Sequence, residues 1–369
     1  MPTRTVVRNY KFRIYPNKTQ AKVLIRWLET CRRLYNAALA QRKDAWESES
    51  RSISQYQQNG WLTDAKKTNS FYKELHSQVA QEVMARLKKA FDAFFRRVAS
   101  GEKPGYPRFK GHGRYNSLTF PQWGNGASFA NGKLKLSKVG LLKIILHREI
   151  PGTIKTVTIR REASGKWHAI FSVTMEIEVP AHHPGPKVGL DVGIEKFAML
   201  SDGTRIENPK HLRQAEKKLK TAHRNVSRKR KGSRNRGKAR LKLARAYEKV
   251  ANRRRDFHHK ESRKLVRVYS GIAVEDLRIE NMVLNRHLAK SIQDAGWGEF
   301  LAMLECKAES AGSEVRKVSP HGSSQECSRC GATVKKSLSQ RVHRCPHCGL
   351  VMDRDENAAE VLKKKAFAA

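Results

Sequence analysis

The first hundred residues change from an alternating hydrophobic pattern to a helical one. Apolar and polar side chains alternate from Arg4 to Ile14, which predicts a first strand, and Pro16 and Asn17 end it. Apolar residues then recur at helical spacing from Thr19 to about Ser48, and again from about Ser70 to Val98. These two stretches predict a small helical lobe.

A segment rich in glycine, proline and lysine, Gly101 to Gly113, separates this lobe from short alternating runs that continue to about Pro180. The runs are Leu118 to Phe120, Lys133 to Leu136, Leu141 to Leu146, Thr156 to Ile159 and His168 to Val173. Short strands broken by turns favour an antiparallel barrel or sandwich. If the first strand belongs to that barrel, the helical lobe is an insertion within it.

Strands alternate with helices in the second half of the chain, after a predicted linker from Ala181 to Pro186. The predicted elements are two strands around a glycine turn (Lys187 to Leu200), a long helical stretch (Pro209 to about Arg267), a strand (Ile272 to Val274), an amphipathic helix (Ala295 to Ala311), a strand (Glu314 to Val318) and a last helix from around Asn357. This alternation predicts an α/β domain with a cysteine-containing unit inserted before its last helix.

The composition is that of a large and very basic protein. The 369 residues are enough for two or three domains at about 150 residues each, and 75 Lys and Arg against 34 Asp and Glu give a formal charge of +41. Such a charge favours extensive phosphate contact over membrane-surface binding, because no amphipathic basic helix stands at a terminus and no apolar run is long enough to span a bilayer. The N-terminus has no apolar signal segment, which predicts a cytosolic location.

The long helical stretch from Pro209 to about Arg267 carries about two dozen of the lysines and arginines. One interpretation is a solvated, charged helix face. Few acidic residues are available there to pair with the cations, so self-repulsion would be costly, and a nucleic-acid backbone is the favoured counterion.

Four cysteines form two pairs of Cys-x-x-Cys spacing near the C-terminus: Cys327, Cys330, Cys345 and Cys348. Gly331 and Gly349 follow the pairs, where a knuckle turn needs a residue that tolerates positive φ. The set predicts a closed, structural zinc ribbon, with an iron–sulfur or redox site as the alternative. His343 and His347 are then surface residues or neighbours of the metal ligands. Cys31 and Cys306 are isolated, and the cysteines show no disulfide framework.

Acidic residues stand at three informative positions of the α/β domain. Asp191 lies within an apolar strand, where a carboxylate needs compensation, and Glu275 follows another apolar strand, with Asp276 beside it as a competitor. Asp353 and Asp355 precede the last helix. Such a set can hold two Mg²⁺ ions roughly 4 Å apart in a nuclease. The alternative is that these residues only cap helices and form turns.

Five motifs in this order closely resemble the TnpB family, RNA-guided nucleases encoded by insertion sequences and related to type V CRISPR effectors. They are GLDVGIEKF from Gly189, VEDLRIEN from Val274, DAGWGEF from Asp294, SSQECSRCG from Ser323 and CPHCGLVMDRDENAA from Cys345. The YPN at Tyr15 and the FFR at Phe94 resemble the front half of the family. The likeness therefore covers nearly the whole chain.

The resemblance implies a multidomain α+β fold. Its parts are a wedge β-barrel (residues 1–15 and 104–182), an inserted helical recognition lobe (16–103) and an RNase H-like, RuvC-type α/β nuclease domain (183–369). The last would contain the basic helical segment (209–267) and the zinc ribbon (320–351). The resemblance also matches Asp191, Glu275 and Asp355 to the catalytic, magnesium-binding acids, with Asp353 in support. It places Gln81 among the residues that read a target-adjacent motif, with a structural glutamine as the alternative.

By the same resemblance, a guide RNA from the transposon end and a target double-stranded DNA would be the partners of a Mg²⁺-dependent endonuclease that favours retention of its mobile element. The zinc would be structural, and the protein would be cytoplasmic in a prokaryote, nucleoid-associated when bound to DNA, with a monomer favoured. Two alternatives remain open. One is a cut-and-paste transposase, and the other is a non-cleaving, RNA-guided DNA-binding repressor.

Overall fold

Two compact units divide the chain between Ile177 and Glu178. The structure is a computed structural model that describes residues 3–178, 180, 183–337 and 340–368. Ala181 and His182, which begin the predicted linker, lie outside the described residues. So do residues 1 and 369, at the two ends of the predicted domain ranges, and residues 338 and 339 of the predicted ribbon.

The N-terminal unit contains a seven-stranded sheet and four helices. In chain order its elements are β1 (Thr3–Tyr15), α1 (Lys18–Glu49), α2 (Gln55–Thr68), α3 (Ser70–Glu74), α4 (Ser77–Ala99), β2 (Ser117–Phe120), β3 (Ala127–Ala130), β4 (Lys133–Leu136), β5 (Gly140–Ile145), β6 (Thr153–Arg161) and β7 (Trp167–Glu178). The strand order β2-β6-β7-β1-β5-β4-β3 forms a nearly closed barrel sheet. Because β1 lies at the centre of this order, the predicted insertion of the helices into the barrel is confirmed.

Local chemistry explains where the helices of this unit begin. The Asn17 side chain accepts a hydrogen bond from the Gln20 backbone N–H at 2.8 Å, and the Gln20 side chain accepts one from the Asn17 N–H at 3.0 Å. This capping box starts α1. The pair Ser54 and Gln57 forms the same box at the start of α2. The hydrophobic pattern did not predict α2, because Gln58 and Leu62 are its only buried residues.

The C-terminal unit is a mixed α/β fold. In chain order its elements are β8 (Lys187–Val192), β9 (Lys196–Leu200), β10 (Arg205–Glu207), α5 (His211–Ser227), α6 (Arg234–Val268), β11 (Gly271–Glu275), α7 (Ile279–Met282), α8 (Ala289–Ala295), α9 (Trp297–Ala311), β12 (Glu314–Val318), β13 (Val342–Arg344), β14 (Val351–Asp353) and α10 (Arg354–Phe367). The main sheet has the order β10-β9-β8-β11-β12, and β11 is parallel to both β8 and β12. The predicted long helical stretch is two helices, α5 and α6.

An aromatic cluster fixes helices α6 and α9 of this unit against the sheet. The ring of Phe197, on β9, lies 4.9 Å from the rings of Phe257 and Phe300. His258 is fully buried beside them, with its Nε2 atom 2.8 Å from the Ala295 carbonyl oxygen. None of the helices in the described ranges is both long and apolar enough to cross a membrane.

Candidate metal centres and nucleic-acid surface

Asp191 and Glu275 lie at the ends of neighbouring parallel strands. In the pairing of β8 with β11, Leu190 lies opposite Val274. Asp191 and Glu275 are the next residues on the two strands. Adjacent strands lie ~4.8 Å apart, and side chains at matched positions point to the same face of the sheet. The fold therefore brings together two carboxylates that are more than eighty residues apart in sequence.

Helix α10 covers the same face of β8 and brings the third acid to it. Gly189 lies two residues before Asp191 and faces the same way, and a β-carbon on Gly189 would lie 1.8 Å from the carbonyl oxygen of Ala359. Asp355 is one helical turn before Ala359. The close packing of α10 thus places Asp355 at the helix end nearest Asp191.

The last helix begins at Arg354, so the predicted start around Asn357 is wrong by nearly one turn. The reason is that Asp353 caps the helix: its Oδ1 accepts hydrogen bonds from the N–H groups of Asp355 at 2.9 Å and Glu356 at 3.4 Å. The cap interpretation therefore holds for Asp353. It does not hold for Asp355, which lies inside the first turn of the helix.

Burial acts on both strand-end acids, and like charges act on Asp191 as well. Burial raises the pKa of Asp191 well above its ordinary value, and the negative charges of Glu275 and Asp355 raise it further. Burial also raises the pKa of Glu275, although a hydrogen bond from Ser323 opposes this effect. A set of carboxylates whose charges disfavour one another is one that a cation would stabilise.

Asp353 and Asp276, the alternatives to Asp355 and Glu275 as metal ligands, lie in different environments. Burial alone would raise the pKa of Asp353, but the Lys196 ammonium, 2.8 Å from its Oδ2, and the backbone N–H groups of α10 lower it. Asp276 is exposed, and its backbone N–H donates to the Val318 carbonyl oxygen at 2.8 Å. Asp353 therefore has its own cation, and Asp276 extends the strand pairing beyond Glu275.

The donor set of Asp191, Glu275 and Asp355 consists of carboxylate oxygens, the ligands that Mg²⁺ prefers. A protein cation lies beside the set: the Nε atom of Arg354 is 3.5 Å from Asp355 Oδ1. Within the described residues, the three carboxylates do not form a group as compact as that of the cysteines described next. The chemistry and charge of the set fit a divalent cation.

The four thiols form one tight cluster. The sulfur atoms of Cys327, Cys330, Cys345 and Cys348 all lie within 4.8 Å of one another, and the pairs Cys327–Cys348 and Cys330–Cys345 are 3.6 Å apart. A tetrahedral zinc with Zn–S bonds of ~2.3 Å needs sulfur separations of about 3.8 Å. Gly331 and Gly349 adopt φ values of 75° and 72°, as the knuckle turns require. The cluster therefore fits zinc.

The cysteine ribbon is fastened to the start of α10 by a buried amide. Asn357 is fully buried; its Oδ1 accepts from the Ser328 backbone N–H at 2.9 Å, and its Nδ2 donates to the Glu326 carbonyl at 2.7 Å. Lys365 forms an ion pair with Glu326 at 2.6 Å. These contacts join the first cysteine knuckle to the helix that carries Asp355.

The two histidines near the second cysteine pair differ in environment. His347 is exposed, whereas His343 is fully buried on β13 and its Nδ1 lies 2.5 Å from Lys336 Nζ. The expectation of a surface position is therefore wrong for His343, because its side chain fills the interior of the small ribbon. Only the alternative, a neighbour of the metal ligands, remains for it.

A basic groove lies between α5 and α6, with a volume of about 1020 Å³. Its described lining contains no acidic residue, and its cationic residues are Lys217, Lys218, Lys229, Lys238 and Lys242. This groove has the charge of a polyanion-binding surface.

In the other unit, Gln81 is exposed in the first turns of α4, and its role in motif reading stays a prediction.

Three supporting residues of the C-terminal unit were not predicted: Lys196, Ser323 and Asn357. Each lies inside a motif whose acids or cysteines carry the sequence signal. The supporting residue itself has no spacing or periodicity that marks its role. Asp294 is a similar case, because its carboxylate accepts from the N–H groups of Leu212 at 2.8 Å and Arg213 at 3.3 Å and so caps α5.

Three family models match the chain. Residues 1–51 match a model described as a helix-turn-helix domain, residues 170–286 one described as "Probable transposase", and residues 297–362 one described as the TNB domain of Cas12f1-like proteins. Within 1–51 the described residues form the strand β1 and the helix α1. The third match contains the cysteine ribbon and Asp355.

Two relatives match over nearly their full lengths. One from Streptomyces pristinaespiralis, named "Putative RNA-guided DNA endonuclease", is 38% identical over 99% of this chain and 90% of its own. The Escherichia coli K12 protein named "Putative RNA-guided DNA endonuclease InsQ" is 32% identical over 95% of this chain and 90% of its own length. A cryo-EM structure of a Cas12f1–sgRNA–target DNA complex covers 97% of this chain and 99% of its own, at 15% identity and a TM-score of 0.37. The two sequence relatives show that the chain belongs to the TnpB family.

Proposed function

We propose that this protein is an RNA-guided, Mg²⁺-dependent DNA endonuclease of an insertion sequence, which cleaves double-stranded DNA beside a short target-adjacent motif and promotes retention of its element. The observation that carries the proposal is that two carboxylates end neighbouring strands and a third lies in the first turn of the helix that packs on β8. Asp191 and Glu275 lie at matched strand ends, and burial raises the pKa of Asp191, with the negative charges of Glu275 and Asp355 adding to the rise. Membership of the TnpB family supports the same reaction class.

In this proposal Asp191, Glu275 and Asp355 would hold two Mg²⁺ ions. When bound, the ions would supply an activated water and stabilise the leaving 3′-oxygen of an in-line displacement. The chain itself supplies the rigid positions of the ligands. Gly189 admits α10 close to β8, and Asp353, paired with Lys196, caps the helix and holds the backbone of Asp355 in its first turn.

Nucleic-acid partners fit the charge of the protein. Both relatives at 32–38% identity are named as RNA-guided, and we propose a guide RNA derived from the transposon end and a target DNA duplex for this chain. The basic groove between α5 and α6 would contact the phosphate backbone of one of them. The barrel unit would serve as wedge, its inserted helices as recognition lobe and the mixed sheet as the RuvC-type core.

Two alternative functions, a transposase and a non-cleaving repressor, would give different products from an endonuclease. The family model for residues 170–286 is described as "Probable transposase", and a transposase would join DNA ends rather than only cut them. A non-cleaving RNA-guided repressor would need a defective metal site. Because all three acids are present and Glu275 and Asp355 both act on the charge of Asp191, cleavage is the favoured activity.

The test begins with protein purified together with its native RNA, which is then sequenced. A duplex that matches the 3′ segment of that RNA is offered with randomised flanking bases, with Mg²⁺ or with a chelator. Metal-dependent cleavage restricted to matched duplexes beside one short motif is expected. Strand joining would favour the transposase, binding without cleavage in any divalent metal would favour the repressor, and soluble, monodisperse protein without RNA would contradict the guide model.

A further inference from the structure

Ser323 is a buried polar residue whose hydroxyl faces a proposed catalytic acid. It lies between β12 and the first cysteine pair, with only 2% of its surface exposed. Its Oγ atom lies 2.5 Å from Glu275 Oε1 and 3.2 Å from the Pro320 carbonyl oxygen. A hydroxyl has one proton to donate, and the carboxylate offers both the shorter distance and the charge, so the donation goes to Glu275.

The position of Ser323 is fixed by the ribbon that follows it. The Gly322 carbonyl accepts hydrogen bonds from the N–H groups of Gln325 at 3.0 Å and Glu326 at 2.9 Å, which closes a tight turn around Ser323. Immediately afterwards the Cys327 N–H donates to the Ala332 carbonyl at 2.9 Å within the first knuckle. Only three residues therefore separate Ser323 from the first proposed zinc ligand.

The first cysteine knuckle is also hydrogen-bonded to α10, the helix that carries Asp355. Asn357 binds the backbone of Glu326 and Ser328 and lies two residues after Asp355 on α10. The ribbon thus contacts the Glu275 side chain directly and the helix of Asp355 through a buried amide. Neither contact is needed to hold a zinc ion, because the four thiols complete that site by themselves.

We propose that Ser323 is a positioning residue that orients the Glu275 carboxylate for metal binding, and that through Ser323 the cysteine ribbon sets the geometry of the catalytic centre. The inference rests on the proposed role of Glu275 as a metal ligand. Hydrogen bonds to a ligating carboxylate hold it in the rotamer that binds, and loss of such a partner costs ~10–100-fold in metal affinity or activity.

The experiment compares Ser323→Ala with Ser319→Ala, an exposed serine four residues earlier on the same connection. We expect Ser323→Ala to raise the Mg²⁺ concentration for half-maximal cleavage by ~10–100-fold, with cleavage at saturating metal largely retained. Zinc content, melting temperature and target-DNA affinity should stay at the values of the wild type. Ser319→Ala should match the wild type throughout.

Binding of Mn²⁺ alone, followed by electron paramagnetic resonance, gives a measurement that does not depend on cleavage. Ser323→Ala should weaken Mn²⁺ binding in the wild-type background but have no further effect in Glu275→Gln, because its influence passes through that carboxylate. Equal effects in both backgrounds, an unchanged Mn²⁺ affinity, or loss of zinc with the substitution would overturn the inference. If no variant cleaves DNA, the proposed function fails, and the Mn²⁺ titration still decides the role of Ser323.

Discussion

Gly189 on β8 and Ala359 on α10 are in direct backbone contact, so close that a β-carbon on Gly189 would lie 1.8 Å from the Ala359 carbonyl oxygen. The strand residue two positions later is Asp191, and the helix residue one turn earlier is Asp355. The absence of one side chain therefore sets the distance between two acids that no local sequence signal connects.

Replacing Gly189 with Ala should displace α10, because the obstructing atom is backbone and cannot rotate away. We expect a loss of about 3 kcal/mol in the free energy of unfolding, at the upper end for overpacked cores, measured by urea denaturation. Gly237→Ala on α6 is the matched control, since nothing lies within 4 Å of its β-carbon position and alanine favours a helix interior. Equal stability of Gly189→Ala and the wild type would show that α10 does not pack as described.

Asp191→Asn should abolish cleavage while it preserves folding. The amide keeps the shape of the side chain, removes a carboxylate that Glu275 and Asp355 disfavour, and cannot serve as an anionic metal ligand. We expect a loss of more than ~100-fold in the single-turnover cleavage rate, beyond the effect of losing a supporting residue, with unchanged target affinity. Asp276→Asn, at an exposed position, should cleave like the wild type. Cleavage by Asp191→Asn at the normal rate would reject the metal-site assignment.

How much of the site the sequence predicts depends on whether the signal is local. The cysteine spacing, the two glycine turns and the strand positions of Asp191 and Glu275 follow from short-range chemistry and were readable. The start of α10 was misplaced because Asp353 caps the helix with its Oδ1 atom. The ion pair of its Oδ2 atom with Lys196, more than one hundred residues away, has no local sequence signal. The burial of Asn357 and Ser323 arises only when the ribbon packs against other elements.

Loss of zinc should disturb both ends of the ribbon. Cys330→Ser removes one of four thiolates, and we expect loss of the metal, faster hydrogen exchange in residues 326–334 and 342–353, and reduced cleavage through the contacts to Glu275 and α10. Metal content by mass spectrometry and exchange rates provide the measurements. Cys306→Ser, which removes an exposed cysteine outside the cluster, is the control. A wild type that contains no zinc yet shows full protection of these segments would contradict the assignment, and bound iron would favour the iron–sulfur alternative.

His258 should make the C-terminal unit sensitive to acid. Burial lowers its pKa below 6.5, although the Ala295 carbonyl and Glu299 oppose this effect. The unfolded chain therefore takes up a proton first, so stability is complete above pH 6.5 and is lost as the pH falls toward the lower folded pKa. His258→Gln keeps a donor for Ala295 but does not titrate, and its unfolding free energy should fall less than that of the wild type between pH 6.5 and 5. Parallel curves for the two proteins would contradict this, and the exposed His321→Gln should follow the wild type.

The groove between α5 and α6 should bind phosphate backbone rather than read bases. Lys217 and Lys238 line it without an acidic partner in the described lining, so the double substitution to Glu should weaken binding of the nucleic acid there by at least ~10-fold at moderate salt. The slope of log affinity against log salt should fall by about 2, one for each lost phosphate contact. Lys264→Glu removes a cation that Glu261 already pairs at 2.8 Å, and its effect should be smaller. An unchanged salt slope in the double variant would show that the polyanion lies elsewhere. Separate titrations with the guide RNA and with target DNA then identify which of the two nucleic acids occupies the groove. Only the one that binds there should lose affinity in the double variant.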